Sequence, residues 1–385
     1  MSPKEKLDEI LKVAVKIGAS DIHLKPGKAP IFRIDERLTS LKNAPVLNFQ
    51  EASEMLFSIL TEKQKEEFEK RMDLDFAYSV PGVGRFRVNL YKQRGSPCAV
   101  MRAIPFNIKT VRELNLPPIL EKIASERRGL ILVTGTTGSG KSTTLASMID
   151  FMNNNFNYNI ITIEDPIEFL FRDNRCLINQ REVGFDTLSF SNALRAALRQ
   201  DPDVIFVGEM RDMETIEIAL TAAETGHLVL STLHTLDATE TVNRIIGIFP
   251  PHQQQQIRYQ LAATLKAVIS QRLVPKIDGK GRVPAVEIMI ATNRIREYIE
   301  DPEKTKLIRQ AISEGHSVYG MQTFDQSLLN LCKKKLITYE EGLKNATSPS
   351  DFALAMSGID TSSDKTQWQR ENQAEEESPT KIERF

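Results

Sequence analysis

The stretch Gly135, Thr136, Thr137, Gly138, Ser139, Gly140, Lys141, Ser142 spells GxxxxGK[ST], and its surroundings leave few folds open. The apolar run Leu130–Val133 precedes it and a helix-forming stretch, Lys141–Asn153, follows. Strand, glycine-rich loop and helix in that order are the context in which the pattern holds phosphate. Glycines let successive backbone N–H groups curl around an anion, and the helix N-terminus adds a favourable dipole. Lys141 is expected to reach the β- and γ-phosphates of ATP and the Ser142 hydroxyl to ligate Mg²⁺, with Thr143 also among the binding residues. A flexible Gly/Ser turn carrying an accidental lysine would need neither the strand nor the helix.

Around this loop the chain alternates. Strands are expected at Leu130–Thr134, Ile160–Glu164, Val204–Val207 and Leu228–Thr232, and helices at Lys141–Asn153, Phe190–Arg199, Thr215–Glu224 and Ala238–Ile246. Short β-branched strands between helices imply an α/β core whose parallel sheet is covered on both faces. Upstream, Leu7, Ile10, Leu11, Ala14 and Ile17 fall at helical spacing, with Gly18 closing the helix. Ile22–Leu24, Ile31–Ile34, Leu74–Val80, Arg85–Tyr91 and Val100–Ile104 read as strands, and Glu51–Arg71 as one charged helix. This predicts a smaller N-terminal α+β domain over 1–105, a linker over 106–118 and the core over 119–290. From Pro251 to about Ala355 helices are expected to dominate, with one strand at Ala285–Ile290, and 291–358 forms a helical C-terminal region. The polar stretch 359–385 cannot bury enough apolar surface to offset chain entropy and is read as disordered.

Composition narrows the function. The 385 residues carry 50 basic and 51 acidic side chains, a balance unlike that of a dedicated nucleic-acid binder. Cys98, Cys176 and Cys332 lie far apart, so cysteine alone cannot build a structural zinc site, and reduced thiols are expected. The N-terminus is charged, and the apolar runs are too short to span a bilayer. A cytoplasmic chain is expected, touching a membrane only through a partner.

Further polar groups cluster at strand ends. Val204–Val207 delivers Gly208 and Glu209 to the edge where open α/β sheets bind ligands. Many phosphate-loop enzymes place Asp then Glu there; with Gly208 in the Asp place, Glu209 is the candidate to polarise an attacking water. Glu164, Asp165 and Glu168 put three carboxylates in one turn, where Glu164 could order metal-bound water. His227 and His234 bracket another strand, and His234 stands where a γ-phosphate sensor is expected. Each of these alone reads as a solvated strand end or a structural histidine.

The phosphate loop, ITIEDPIE from Ile161, the acidic strand ending in Gly208-Glu209 and the histidine segment together resemble the type IV pilus and type II secretion ATPase family. All four occur in that family's order and spacing, and the likeness runs from Leu7 to about Leu354. It implies a homohexamer in which a PAS-like N-terminal domain joins a RecA-like core, with ATP bound between the two. It also implies that Arg87, Arg102 and Arg195 act on the nucleotide phosphates, whereas Arg85 is read as decorating a strand face. Mg²⁺ would be held by Ser142, Glu164 and Glu209, partly through water. The absence of an extra N-terminal domain and of a four-cysteine insert, with the Gly320–Gln326 segment (GMQTFDQ), resembles the family's retraction motors. Arg294–Asp301 (RIREYIED) departs from the AIRNLIRE of that branch. The resemblance implies retraction of a type IV pilus at the inner membrane, through the pilus platform protein. An assembly or secretion motor and, more distantly, a nucleic-acid translocase are the alternatives.

Overall fold

A computed structural model of the chain describes residues 1–34, 37–40, 45–105 and 108–358. The expected disordered tail and the first two linker residues lie outside these. The chain divides into two compact units: 1–108 with 164–174 and 180–189, and the remainder from 109 onward.

The first unit opens with α1 (Pro3–Lys16), whose Ser2 and Glu5 form a reciprocal capping box with Pro3 at the first helical position. Leu7, Leu11 and Ala14 fall on one face and are fully buried; each such leucine stabilises by roughly 1.5–3 kcal/mol. Strands β1 (Asp21–Leu24), β2 (Ile31–Ile34) and β3 (Arg37–Ser40) follow, then helices α2 (Phe49–Phe57) and α3 (Glu62–Arg71). Three long strands, β4 (Asp73–Val80), β5 (Gly84–Gln93) and β6 (Ser96–Ile104), complete a sheet in the order β3-β2-β1-β6-β5-β4. The single helix expected over Glu51–Arg71 is two helices. Thr61 accepts from the Gln64 N–H at 3.3 Å while Gln64 reaches back to the Thr61 N–H at 2.9 Å, so a second capping box starts a new helix.

The second unit starts with α4 (Ile119–Ala124) and β7 (Gly129–Thr134), then α5 (Lys141–Asn155), β8 (Asn159–Glu164), β9 (Leu177–Glu182), α6 (Phe190–Ala197) and β10 (Val204–Val207). It continues through α7 (Met213–Glu224), β11 (Leu228–Leu233), α8 (Ala238–Gly247), α9 (Pro251–Thr264), β12 (Leu265–Pro275) and β13 (Arg282–Ile290). Helices α10 (Asn293–Glu300), α11 (Ile308–Glu314), α12 (His316–Tyr319), α13 (Phe324–Lys333), α14 (Tyr339–Asn345) and α15 (Pro349–Met356) end it.

The sheet order is β13-β12-β7-β11-β10-β8-β9. The centre is parallel, as expected, and every residue of β7, β10 and β11 is buried. The C-terminal part is less helical than expected, because β12 is an eleven-residue strand pairing parallel with β7 and antiparallel with β13. Cys98 and Cys176 are buried and Cys332 is half-buried. No helix among the described residues is long and apolar enough to cross a membrane.

Candidate functional site

Strand β7 runs into the glycine-rich loop, and close approach dictates the glycines. Gly135, Gly138 and Gly140 adopt φ of +143°, +78° and +91°. A Cβ on Gly135 would lie 2.5 Å from the Gln271 carbonyl, and one on Gly140 would lie 2.7 Å from Gln271 Nε2. Helix α5 then begins at Lys141 with Gly140 at its cap, which offers no side chain to cap the first turn. Lys141 is buried, its Nζ donating to the carbonyls of Gly135 at 2.8 Å and Thr136 at 3.0 Å. Ser139 Oγ is buried with no hydrogen-bond partner among the described residues. A glycine cradle, an uncapped helix start and an orphaned hydroxyl fit a phosphate chain. Ser142 and Thr143 are half-buried at the start of α5.

The loop borders a cavity of about 360 Å³ that also meets Leu236, Gln271, Arg272, Leu273, Arg282 and Asn345. None of these was marked by the sequence. Gln271 is fixed by accepting the Thr144 hydroxyl at 2.7 Å, and Arg272 by stacking 3.9 Å over the Phe324 ring.

The second cluster leaves the same sheet edge. Thr134 of β7 pairs with Leu233 of β11, and Ser231 of β11 pairs with Val207 of β10, so the glycine loop, His234 and Glu209 all follow strand ends there. Thr232 Oγ1 donates to the Gly208 carbonyl at 2.6 Å and Gly208 N–H to Ile163 O at 2.7 Å, fixing the turn. Glu209 Oε1 then meets Arg211 Nε at 2.7 Å and His234 Nε2 at 3.2 Å. Burial pushes the Glu209 carboxyl up, but the Arg211 hydrogen bond and the charges of His234 and Arg211 outweigh it and hold the group below its ordinary value. A carboxylate held ionised orients and polarises water well but is a weak proton acceptor. Arg211 was missed, and its only sequence signal is its place two residues beyond Glu209.

His227, at the opposite end of β11, has Nδ1 3.0 Å from the Ala222 carbonyl and 3.3 Å from Thr225 Oγ1, which ties it to the C-terminus of α7. Of the three carboxylates at the end of β8 and just beyond it, only Glu164 is buried; Asp165 and Glu168 are exposed. Gln180 Nε2 donates to Glu164 Oε1 at 3.2 Å, and the Asp165-Pro166 peptide is cis.

In the first unit Arg87 of β5 and Arg102 of β6 are cross-strand partners, bordering a cavity of about 310 Å³ with Asp21, Asp75 and Asn89. Arg102 donates through Nε to Asp21 Oδ1 at 2.8 Å while its side chain stays 69% exposed. Burial raises the Asp21 carboxyl, yet hydrogen bonds from Ser20 and Arg102 and the charges of Arg102 and Arg33 leave it lowered. Arg85, read as a strand-face decoration, instead pairs with buried Glu182 at 3.0 Å. Arg195 of α6 binds Glu214 of α7 at 2.6 Å on an exposed surface.

Comparison with known proteins identifies the family. The family described as Type II/IV secretion system protein matches residues 2–335. The Type IV pilus retractation ATPase PilT of Pseudomonas aeruginosa is 47% identical over 346 residues, covering 90% of this chain and 99% of that protein. A twitching motility protein of Neisseria gonorrhoeae is 45% identical over 325 residues, covering 84% of this chain and 86% of the other. The crystal structure of the pilus retraction motor PilT with bound ADP superposes with a TM-score of 0.81 at 48% identity, over 90% of this chain and 98% of that one. The chain is an ATPase with a RecA-like core, and it belongs to the Type II/IV secretion system protein family.

Proposed function

We propose that this chain is the motor that couples ATP hydrolysis to type IV pilus retraction. The observation that carries it is the ionised Glu209, held between Arg211 and His234 at the sheet edge from which the glycine loop leaves. Likeness to retraction motors over nearly their whole length supplies the direction of work.

In this reading Lys141 exchanges the Gly135 and Thr136 carbonyls for β- and γ-phosphate oxygens, and Ser139 Oγ gains the acceptor it lacks. The loop from Gly135 to Gly140 and the first turn of α5, with Thr143, present N–H groups to the phosphates. Magnesium, when bound, neutralises charge on the β- and γ-oxygens; the Ser142 hydroxyl would hold it, with Glu164 and Glu209 acting through water. Glu209 orients the attacking water, and His234 couples the state of the γ-phosphate to it. Arg87 and Arg102, supplied by residues 1–105 of a neighbour in a homohexamer, neutralise charge developing on the transferred phosphoryl group, as does Arg195. Asp21 grips Arg102 by Nε and leaves the outer guanidinium nitrogens facing outward. The ring would stand on the cytoplasmic side of the inner membrane, against the pilus platform protein.

Deleting the gene and scoring pili tests the direction. Excess surface pili without retraction, uncorrected by a Glu209→Gln copy, is expected. Bald cells would assign the chain to assembly instead.

A further inference from the structure

Glu287 is the least exposed acidic side chain among the described residues, and the hydrolytic reading gives it no task. It lies in the middle of β13 among Ala285, Val286, Ile288 and Met289, all fully buried. Holding a charge there is costly unless something repays it. Its Oε1 accepts the N–H of Ala238, the first residue of α8, at 2.9 Å. Two other N–H groups at that helix start are satisfied locally. Asp237 accepts the Glu240 N–H at 2.8 Å, and Glu240 accepts the Leu236 N–H at 2.8 Å.

Two ends of the site meet at this carboxylate. Only residues 234–237 separate β11 from α8, so Ala238 anchors the far end of the loop that begins with His234. On the other side Glu287 is the cross-strand partner of Ser270 in β12, and the two side chains share a face. Ser270 Oγ accepts the Thr134 hydroxyl at 2.9 Å, and Thr134 is the residue before Gly135. Polar side chains on neighbouring strands of an apolar core therefore stand between the root of the glycine loop and the start of α8.

We propose that Glu287 is a positioning residue of the hydrolytic site, its carboxylate pinning the start of α8 and thereby setting the reach of His234 to Glu209. This deepens the hydrolytic reading and rests on it. The charged groups facing Glu287 are Asp237 of α8, Arg272 of β12 and Arg309 of α11, the last ion-paired at 3.1 Å to Asp325 of α13. Its carboxyl is raised to about 7, because burial and the nearby Asp237 charge outweigh the lowering by the Ala238 bond and by Arg309 and Arg272. An ionised carboxylate is a stronger acceptor than a carboxylic acid, so the anchor weakens as the group takes up its proton.

The test is the pH profile of phosphate release by the full chain. Wild type should lose about fivefold in turnover from about pH 8 to about pH 6, as its positioning carboxylate protonates. Glu287→Gln, which keeps an amide oxygen for Ala238 but no proton to gain, should change less than about twofold over that range. A Glu287→Gln profile that superimposes on wild type would assign the decline to another group and overturn the proposal. Should that variant fail to fold, hydrogen exchange of wild type decides. Residues 236–242, corrected for intrinsic rates, should lose protection at the lower pH, and equal protection at both would reject the anchor. Exchange reads Glu287 without recourse to hydrolysis, so its failure is distinct from failure of the hydrolytic reading, which Glu209→Gln tests.

Discussion

Strand β11 carries an imidazole just beyond each end, and the two have different lives. His234, after the C-terminal end, faces Glu209 at 3.2 Å and is 43% exposed on that side chain. His227, before the N-terminal end, is spent on a helix terminus through the Ala222 carbonyl. Residue type and strand are shared, so the sheet edge makes the difference. At the C-terminal edge, parallel strands release loops while helices present N–H groups; at the other edge, helices present carbonyls. An imidazole at the second edge finds a ready acceptor and becomes part of the scaffold. One at the first edge is left to pair with a carboxylate and with whatever anion binds.

The largest effect that could break this contrast comes from outside the sheet. If Arg102 acts on phosphates held at the C-terminal edge, Arg102→Ala should lower turnover by roughly 10³–10⁵-fold with ATP affinity little changed. Normal turnover in a folded Arg102→Ala protein would leave Arg102 only its ion pair with Asp21. If the chains assemble into the proposed ring, mixing this variant with wild type should depress activity more than its mole fraction, and strict proportionality would mean that subunits fire independently.

The histidines themselves sharpen the contrast. His234→Ala should cost roughly tenfold or more in turnover, about 1.4 kcal/mol of barrier, with melting temperature nearly unchanged. His227→Ala should do the reverse, losing about 1 kcal/mol of stability for one hydrogen bond while turnover stays within about twofold. Equal kinetic effects from both would erase the distinction between the edges.

The smallest effect is thermal. The folded chain binds the Glu287 proton more tightly than the unfolded chain, whose carboxyl has its ordinary value of 4.5. Stability from that proton is full below the ordinary value and is lost as pH rises through about 7. Wild-type melting temperature should therefore fall more than that of Glu287→Gln across this window, and parallel curves would show that the group does not titrate there.

The glycine loop, its flanking strand and helix, and the four central strands were all legible, because each carries an unbroken apolar run or a spacing tied to one geometry. Strand β12 was not. Helix α9 passes into it at Leu265 with no glycine, proline or other turn residue between them, so periodicity alone could not locate the change. Strand β9, with burial scattered along a polar sequence, has no alternation to read. The break between α2 and α3 was readable from Thr61 and Gln64, but charge along the whole stretch masked it. Glu209 and His234, which the structure places 3.2 Å apart, were marked as candidates through strand ends. Arg211 and Glu287 were not, because their partners are set by a turn and by a cross-sheet approach that sequence spacing does not encode.

The central claim is that Glu209, held ionised at the C-terminal edge, drives hydrolysis on a phosphate loop that binds without it. ATP affinity and phosphate release of purified Glu209→Gln test this most directly. The amide keeps the size of the side chain but not the charge that polarises water, so affinity should stay within about threefold of wild type while turnover falls by roughly 10²–10⁴-fold. Full hydrolysis by Glu209→Gln would contradict the account.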